Sequence, residues 1–190
     1  MIQKALVVLS SPRKGSNSSA LALAMAEGLK EKGVQVEEAD LARLEIKPCL
    51  GCEACHRKDK SGVCVQKDGM QEVYPKVVEA DLLLLAAPVY WFNVCAQLKI
   101  FLDRCYAVAL SPEGSFSRKT IAAALAYGDV DPLASGAVNA IRSFQDICNY
   151  TGARWGSCLY ASAMEKNVLA ADKELMAKAV EFGRNLAGGG

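Results

Sequence analysis

Two kinds of hydrophobic pattern alternate along the chain. Near-continuous apolar runs occur at Lys4–Leu9 (KALVVL) and Asp81–Ala86 (DLLLLA), as strands covered on both faces require. Val34–Asp40 (VQVEEAD) mixes apolar and polar positions and predicts an edge strand. Thr120–Ala126 and Ala153–Ala161 supply two later strands. Between them, apolar residues recur at spacings of three and four, the period of a half-buried helix. Ser18–Lys32 carries a serine cap and stops at Gly33. Met70–Glu79 has the pattern with Pro75 inside it, which works against the helix. Gln97–Val108 places Leu98, Phe101, Leu102 and Cys105 on one face, and Ser135–Thr151 and Ala171–Ala187 complete the set.

Strand followed by helix five times predicts an α/β fold, a parallel sheet with helices on both faces. No repeat, low-complexity linker or boundary divides the chain, so residues 1–187 read as one domain and 188–190 (GGG) as a tail. The departure is residues 44–69, a charged insertion bearing Cys and Gly between the second strand and its helix. Unstructured stretches of that length inside a compact domain are usually functional.

Composition narrows the class. In 190 residues, 52% are hydrophobic and the net charge is +1, with both signs interleaved. That balance supports a sizeable core and lacks the basic face of a nucleic-acid binder or membrane-surface protein. No run approaches the roughly 20 apolar residues of a membrane span, and no secretory leader pattern opens the chain, so the expected compartment is the cytoplasm. Eight cysteines are then unexpected as disulfides. Cys95, Cys105, Cys148 and Cys158 are dispersed and read as small buried apolar groups. Cys49, Cys52, Cys55 and Cys64 are clustered and need another account.

In open parallel sheets, ligands gather beyond the carboxyl ends of the strands. Behind the first strand comes SSPRKGSNSS. Hydroxyls of Ser10, Ser11, Ser16 and Ser18, the Asn17 amide, the Arg13 cation and a helix N-terminus together make a phosphate cradle. The same stretch also reads as an ordinary turn with a serine cap. It contains neither GxGxxG nor GxxxxGK[ST], and it has no cysteine nucleophile. Behind the third strand, Pro88–Asn93 offers Tyr90 and Trp91 rings and the Asn93 amide to a flat apolar ligand. Phe92, and with it Trp91, also reads as core or interface packing. Behind the fourth strand lies Ala126–Pro132, with Tyr127, Gly128 and Asp129. Three loops on one rim, bearing phosphate, ring and polar chemistry, predict a planar cofactor with a phosphate end.

These residues resemble a known family. SSPRKGSNS, APVYWFNVCAQLKIFLDR, PCLGCEAC and LYASAMEKN are similar to the flavodoxin-like NADPH-dependent FMN reductases, in particular their iron–sulfur flavoprotein branch. The resemblance implies a flavodoxin-like three-layer sandwich, its five parallel strands in the order 2-1-3-4-5. It implies non-covalent FMN and a homodimer or homotetramer. By motif match, Ser10, Arg13, Ser16, Asn17 and Ser18 hold the FMN phosphate. Pro88, Val89, Tyr90, Trp91 and Asn93 border the isoalloxazine, and Tyr127, Gly128 and Asp129 flank it. The chemistry is then the cofactor's, hydride transfer at flavin N5, and no acid–base dyad is needed. The single histidine, His56, belongs to the cysteine insertion.

The spacing Cys49-x2-Cys52-x2-Cys55-x8-Cys64 is open to three readings. Two-residue spacers let sulfurs converge on a [4Fe–4S] cluster, whose charge Lys47, His56, Arg57, Lys58 and Lys60 would offset. Zinc uses similar spacers, usually as separated pairs, and a reduced metal-free loop is the third reading. The family's fourth cysteine follows after a shorter gap than the eight residues here. Two functions follow from the resemblance: an NAD(P)H-using FMN oxidoreductase acting on a small acceptor such as a quinone or free flavin, or an electron carrier linking FMN and a cluster to a protein donor such as ferredoxin. A cofactor-free regulatory module on this fold would want acidic residues where the chain has Ser10 and Ser11.

Overall fold

The structure is a computed structural model and describes residues 1–57 and 62–188. Its strands are β1 (Lys4–Leu9), β2 (Gln35–Asp40), β3 (Leu82–Tyr90), β4 (Asn93–Val94), β5 (Thr120–Tyr127) and β6 (Arg154–Ser162). Its helices are α1 (Asn17–Glu31), α2 (Met70–Glu79), α3 (Ala96–Ala109), α4 (Ala137–Thr151) and α5 (Lys173–Ala187). The sheet runs β2-β1-β3-β5-β6, all parallel, with β4 antiparallel on the end of β3. Five parallel strands thus take the order 2-1-3-4-5, and the short β4 is an addition. No helix among the described residues is long and apolar enough to cross a membrane.

The continuous apolar runs still split by twos, because side chains alternate across a sheet. Leu6, Val8, Leu83, Leu85, Ile121 and Leu125 face the layer of α2, α3 and α4. Val7, Leu82, Leu84, Ala122 and Ala124 face α1 and α5. Cys105 and Cys148 pack in the first layer, and Cys158 lies against it. Burial pushes the Cys148 thiol up to about 11 and the Cys158 thiol up to about 12. Both therefore stay protonated at neutral pH and act as apolar packing.

Several boundaries differ from expectation for local reasons. The first helix begins at Asn17, because extended Ser16 is its cap and accepts the Ser19 N–H at 3.2 Å. The third strand continues through Pro88–Tyr90. Pro88 stays in register with Ala126, and Val89 and Tyr90 turn back on Val94 and Asn93. Pro75 is tolerated within α2, whose Val73, Tyr74 and Val77 are buried. The last helix starts at Lys173, capped by Asp172. Of the C-terminal glycines, Gly188 caps α5, and residues 189–190 lie outside the described residues.

Helix α5 crosses α1 at Gly28 and Gly183, with backbone against backbone. A Cβ at Gly28 would overlap the Val180 carbonyl oxygen, and one at Gly183 the Met25 carbonyl oxygen. Gly183→Ala is therefore expected to destabilise the fold by about 2–3 kcal/mol, the cost of overpacking a well-filled interface. Urea denaturation measures it. An unchanged midpoint would show that the helices separate freely.

Candidate functional site

The carboxyl ends of β1, β3, β5 and β6 surround one cavity of about 230 Å³. Ser11, Arg13, Gly15, Ser16, Asn17 and Ser18 form one wall, Pro88, Val89 and Tyr90 another, and Tyr127 and Gly128 a third. Residues with phosphate chemistry and residues with ring chemistry, far apart in sequence, thus share one space. The N-terminus of α1 opens there, so its positive dipole end and orphan N–H groups favour an anion. Ser16 Oγ lies 3.1 Å from the hydroxyls of both Ser18 and Ser19, a compact set of neutral donors. Gly15 adopts φ +64°, and a Cβ there would overlap the Asn167 side chain. Arg13 holds its guanidinium 5.6 Å from the centre of the Tyr90 ring, joining the two chemistries.

Some expected residues do other work. Ser10 is fully buried outside the cavity, and its hydroxyl donates to the Ala86 carbonyl at 2.6 Å, pinning β1 to β3. The Asn17 amide lines the cavity but is spent on structure. Its Nδ2 donates to the Glu165 carbonyl at 2.7 Å, and its Oδ1 accepts the Leu169 N–H at 3.1 Å. Asn93 Oδ1 accepts the Val94 N–H at 2.8 Å, and the residue faces a different cavity. Asp129 Oδ1 accepts the Val130 N–H at 2.6 Å, and its carbonyl oxygen takes the Ser162 hydroxyl. Tyr127 is buried, which raises its phenol above the ordinary range.

Trp91 and Phe92 form the two-residue turn between β3 and β4, at φ 49° and 66°. That left-handed pair belongs to hairpin turns that normally take Asn-Gly, and bulky residues there are strained. Their surroundings hold them: Asn139 Nδ2 donates to the Phe92 carbonyl at 3.1 Å, and Gly136 leaves room for the Phe92 backbone. Trp91 is 93% exposed and Phe92 55%. Phe92 is thus not core packing. Both rings are presented at the hairpin tip.

Sequence reading missed the fourth wall, Ala163, Met164, Glu165 and Lys166. Lys166 brings a second cation to the cavity beside Arg13. The signal was available, since AMEKN follows the last strand at the same rim.

The four clustered cysteines line a separate small cavity of about 30 Å³. The Gly62 N–H donates to the Cys55 carbonyl at 3.0 Å, and Cys64 lines the same cavity as the other three cysteines. Burial, reinforced by Cys64, Cys49 and Cys52, pushes the Cys55 thiol up. No three His, Cys, Asp or Glu side chains among the described residues are already arranged to hold a single ion. The donor chemistry nonetheless suits an iron–sulfur group: four thiols on one cavity, with the buried Arg104 guanidinium in its lining and donating to Cys64 Sγ at 3.6 Å. His56 is engaged elsewhere, its ring tilted against the Tyr106 ring at 4.3 Å between centres and its Nε2 3.1 Å from the Tyr106 carbonyl oxygen. Lys58 and Lys60 lie outside the described residues. A larger cavity of about 730 Å³, lined mainly by α3 and α4, also has Cys49, Asn93 and Val94 in its wall.

A doubly wound parallel sheet with a serine-rich loop after β1 and aromatic residues after β3 defines a flavodoxin-like fold. A solved NAD(P)H:quinone oxidoreductase from Methanothermobacter marburgensis has this fold, with a TM-score of 0.74 and 21% identity over 98% of each chain. Residues 3–154 match the family described as NADPH-dependent FMN reductase, and the chain belongs to that family. An iron-sulfur flavoprotein of Archaeoglobus fulgidus is 43% identical over 101 residues, 53% of this chain and 44% of that protein. Another from Methanosarcina thermophila is 38% identical over 118 residues, 62% of this chain and 59% of the relative. The match thus spans about half the length of these curated relatives.

Proposed function

We propose that the chain is an FMN-dependent oxidoreductase that takes electrons from NAD(P)H and passes them to a small acceptor such as a quinone or free flavin. One observation carries this reading: the serine loop, Pro88–Tyr90 and Tyr127–Gly128 share one cavity. Ser11, Ser16, Ser18 and the α1 N-terminus would hold the phosphate, with Arg13 and Lys166 offsetting its charge. Pro88, Val89, Tyr90 and Trp91 would border the ring, and Tyr127 and Gly128 would close it from β5. Bound FMN supplies hydride acceptance and onward electron transfer. The protein binds, orients and excludes water, and no histidine lines the cavity.

Exposed Trp91, Phe92, Val130, Leu133 and Met164 suit closure by a second copy, in a homodimer or homotetramer. Eight free cysteines fit a reducing compartment, the cytoplasm. A second reading, an electron carrier joining FMN to a [4Fe–4S] cluster and a redox protein such as ferredoxin, is supported by the four cysteines on one cavity.

The test is a visible spectrum of protein purified without oxygen, before and after NADPH or NADH. Flavin bands that bleach with nicotinamide are the expected result. Bands that bleach only with reduced ferredoxin, with stoichiometric iron present, favour the carrier. A colourless chain that takes up no FMN overturns both.

A further inference from the structure

The cysteine insertion is gripped at both ends by one buried ion pair, formed by Asp68 at its own end and Arg104 of α3. Their side chains are 3% and 1% exposed. Arg104 Nη1 donates to Asp68 Oδ2 at 2.6 Å and Nη2 to Oδ1 at 3.1 Å, a two-pronged pairing. Asp68 also accepts the Lys47 N–H at 2.9 Å, and Arg104 Nη1 donates to the Lys47 carbonyl at 2.8 Å, just before Cys49. At the far end, Nη2 reaches Cys64 Sγ at 3.6 Å. Nε is buried and has no partner.

A buried ion pair is a poor source of stability compared with an apolar pair of similar volume. This one instead does something an apolar pair cannot. Eight residues separate Cys55 from Cys64, so spacing alone leaves Cys64 free to stand apart from the CxxCxxC sulfurs. The guanidinium ties it to the same cavity and sets a cation beside its sulfur. Outer hydrogen bonds of this kind orient metal ligands, and N–H donors to sulfur raise a cluster's potential.

We propose that Arg104 is a positioning residue that fixes Cys64 as the fourth sulfur ligand of the cysteine cavity. This rests on the cluster reading above. The experiment is anaerobic reconstitution of the FMN-loaded full chain with ferrous iron and sulfide, for wild type, Arg104→Lys and Cys64→Ala. Lysine keeps a counter-charge for Asp68 but loses the second prong. Arg104→Lys is expected to load a cluster that a chelator strips about tenfold faster, with a more negative midpoint potential by EPR-monitored titration and wild-type FMN content. Cys64→Ala, which leaves the ion pair intact and carries the test if Arg104→Lys misfolds, is expected to fall from about four iron atoms per chain to about three or fewer.

A wild-type chain that takes up no iron overturns the cluster reading and this inference with it. A wild type that loads while Arg104→Lys matches its chelator rate and potential overturns the inference alone. So does a Cys64→Ala chain that loads like wild type.

Discussion

Ser16→Asp is expected to leave the fold intact and reduce FMN affinity about 100-fold, while riboflavin binding is unchanged. Ser16 is the cap of α1, and aspartate caps as well as serine does. The Ser18 and Ser19 hydroxyls, each 3.1 Å from Ser16 Oγ, can donate to the new carboxylate. The carboxylate also suits the helix dipole, so urea denaturation of the FMN-free protein should move by no more than about 0.5 kcal/mol. The cavity, however, then holds a fixed negative charge where the phosphate belongs. At about 5 Å and an effective dielectric constant of about 20, a single like charge costs about 3 kcal/mol. Flavin fluorescence titration with the two ligands reads the difference. Riboflavin lacks the phosphate, so equal losses for both ligands would place the phosphate away from the α1 N-terminus.

The second large effect is on stability. Arg104→Met leaves Asp68 buried without its cation and should cost about 3–5 kcal/mol at pH 7, about 2–4 °C of Tm for each kcal/mol. The loss should depend on pH. In the wild type, burial works to raise the Asp68 carboxyl, but hydrogen bonds from Arg104, Lys47 N and Met70 N outweigh it and hold the carboxyl below its ordinary 3.8. That contribution is present above the ordinary value and is lost as pH falls through the depressed one. In Arg104→Met the unpaired, buried carboxyl should titrate above its ordinary range. The variant then binds a proton on folding and gains stability as pH falls from 7 toward about 4, while the wild type does not. Urea denaturation at the two pH values should show the gap narrowing. A gap of constant size would mean that Arg104 matters through packing alone.

Much of this architecture was legible because each strand is either a continuous apolar run or an alternating one, followed by a capped helix. Near-continuous KALVVL and DLLLLA have the pattern of strands covered on both faces, and edge β2 kept its polar residues. The rim rule located Ser16, Ser18, Pro88–Tyr90 and Tyr127–Gly128 without any contact information. What stayed hidden depended on where side chains turn. Ser10 reads like Ser16 in sequence, yet one hydroxyl faces the sheet and the other the cavity. Asn17 and Asn93 offer identical amides that the fold has already committed to backbone partners. The Arg104–Asp68 pair spans 36 positions, and no local pattern announces it. Phe92 looks like core or interface packing until the turn between β3 and β4 lifts it out.

The Asn17 bridge to Glu165 and Leu169 ties the start of α1 to the segment that follows β6. The serine wall of the cavity, residues 11–18, thus lies inside the stretch that matches the family, while the segment that braces it, Glu165 to Leu169, lies beyond it. The opposite wall, Pro88 to Tyr90, comes from the middle of the chain. In such a layout the brace behind the serine loop can vary in sequence while the loop itself is kept.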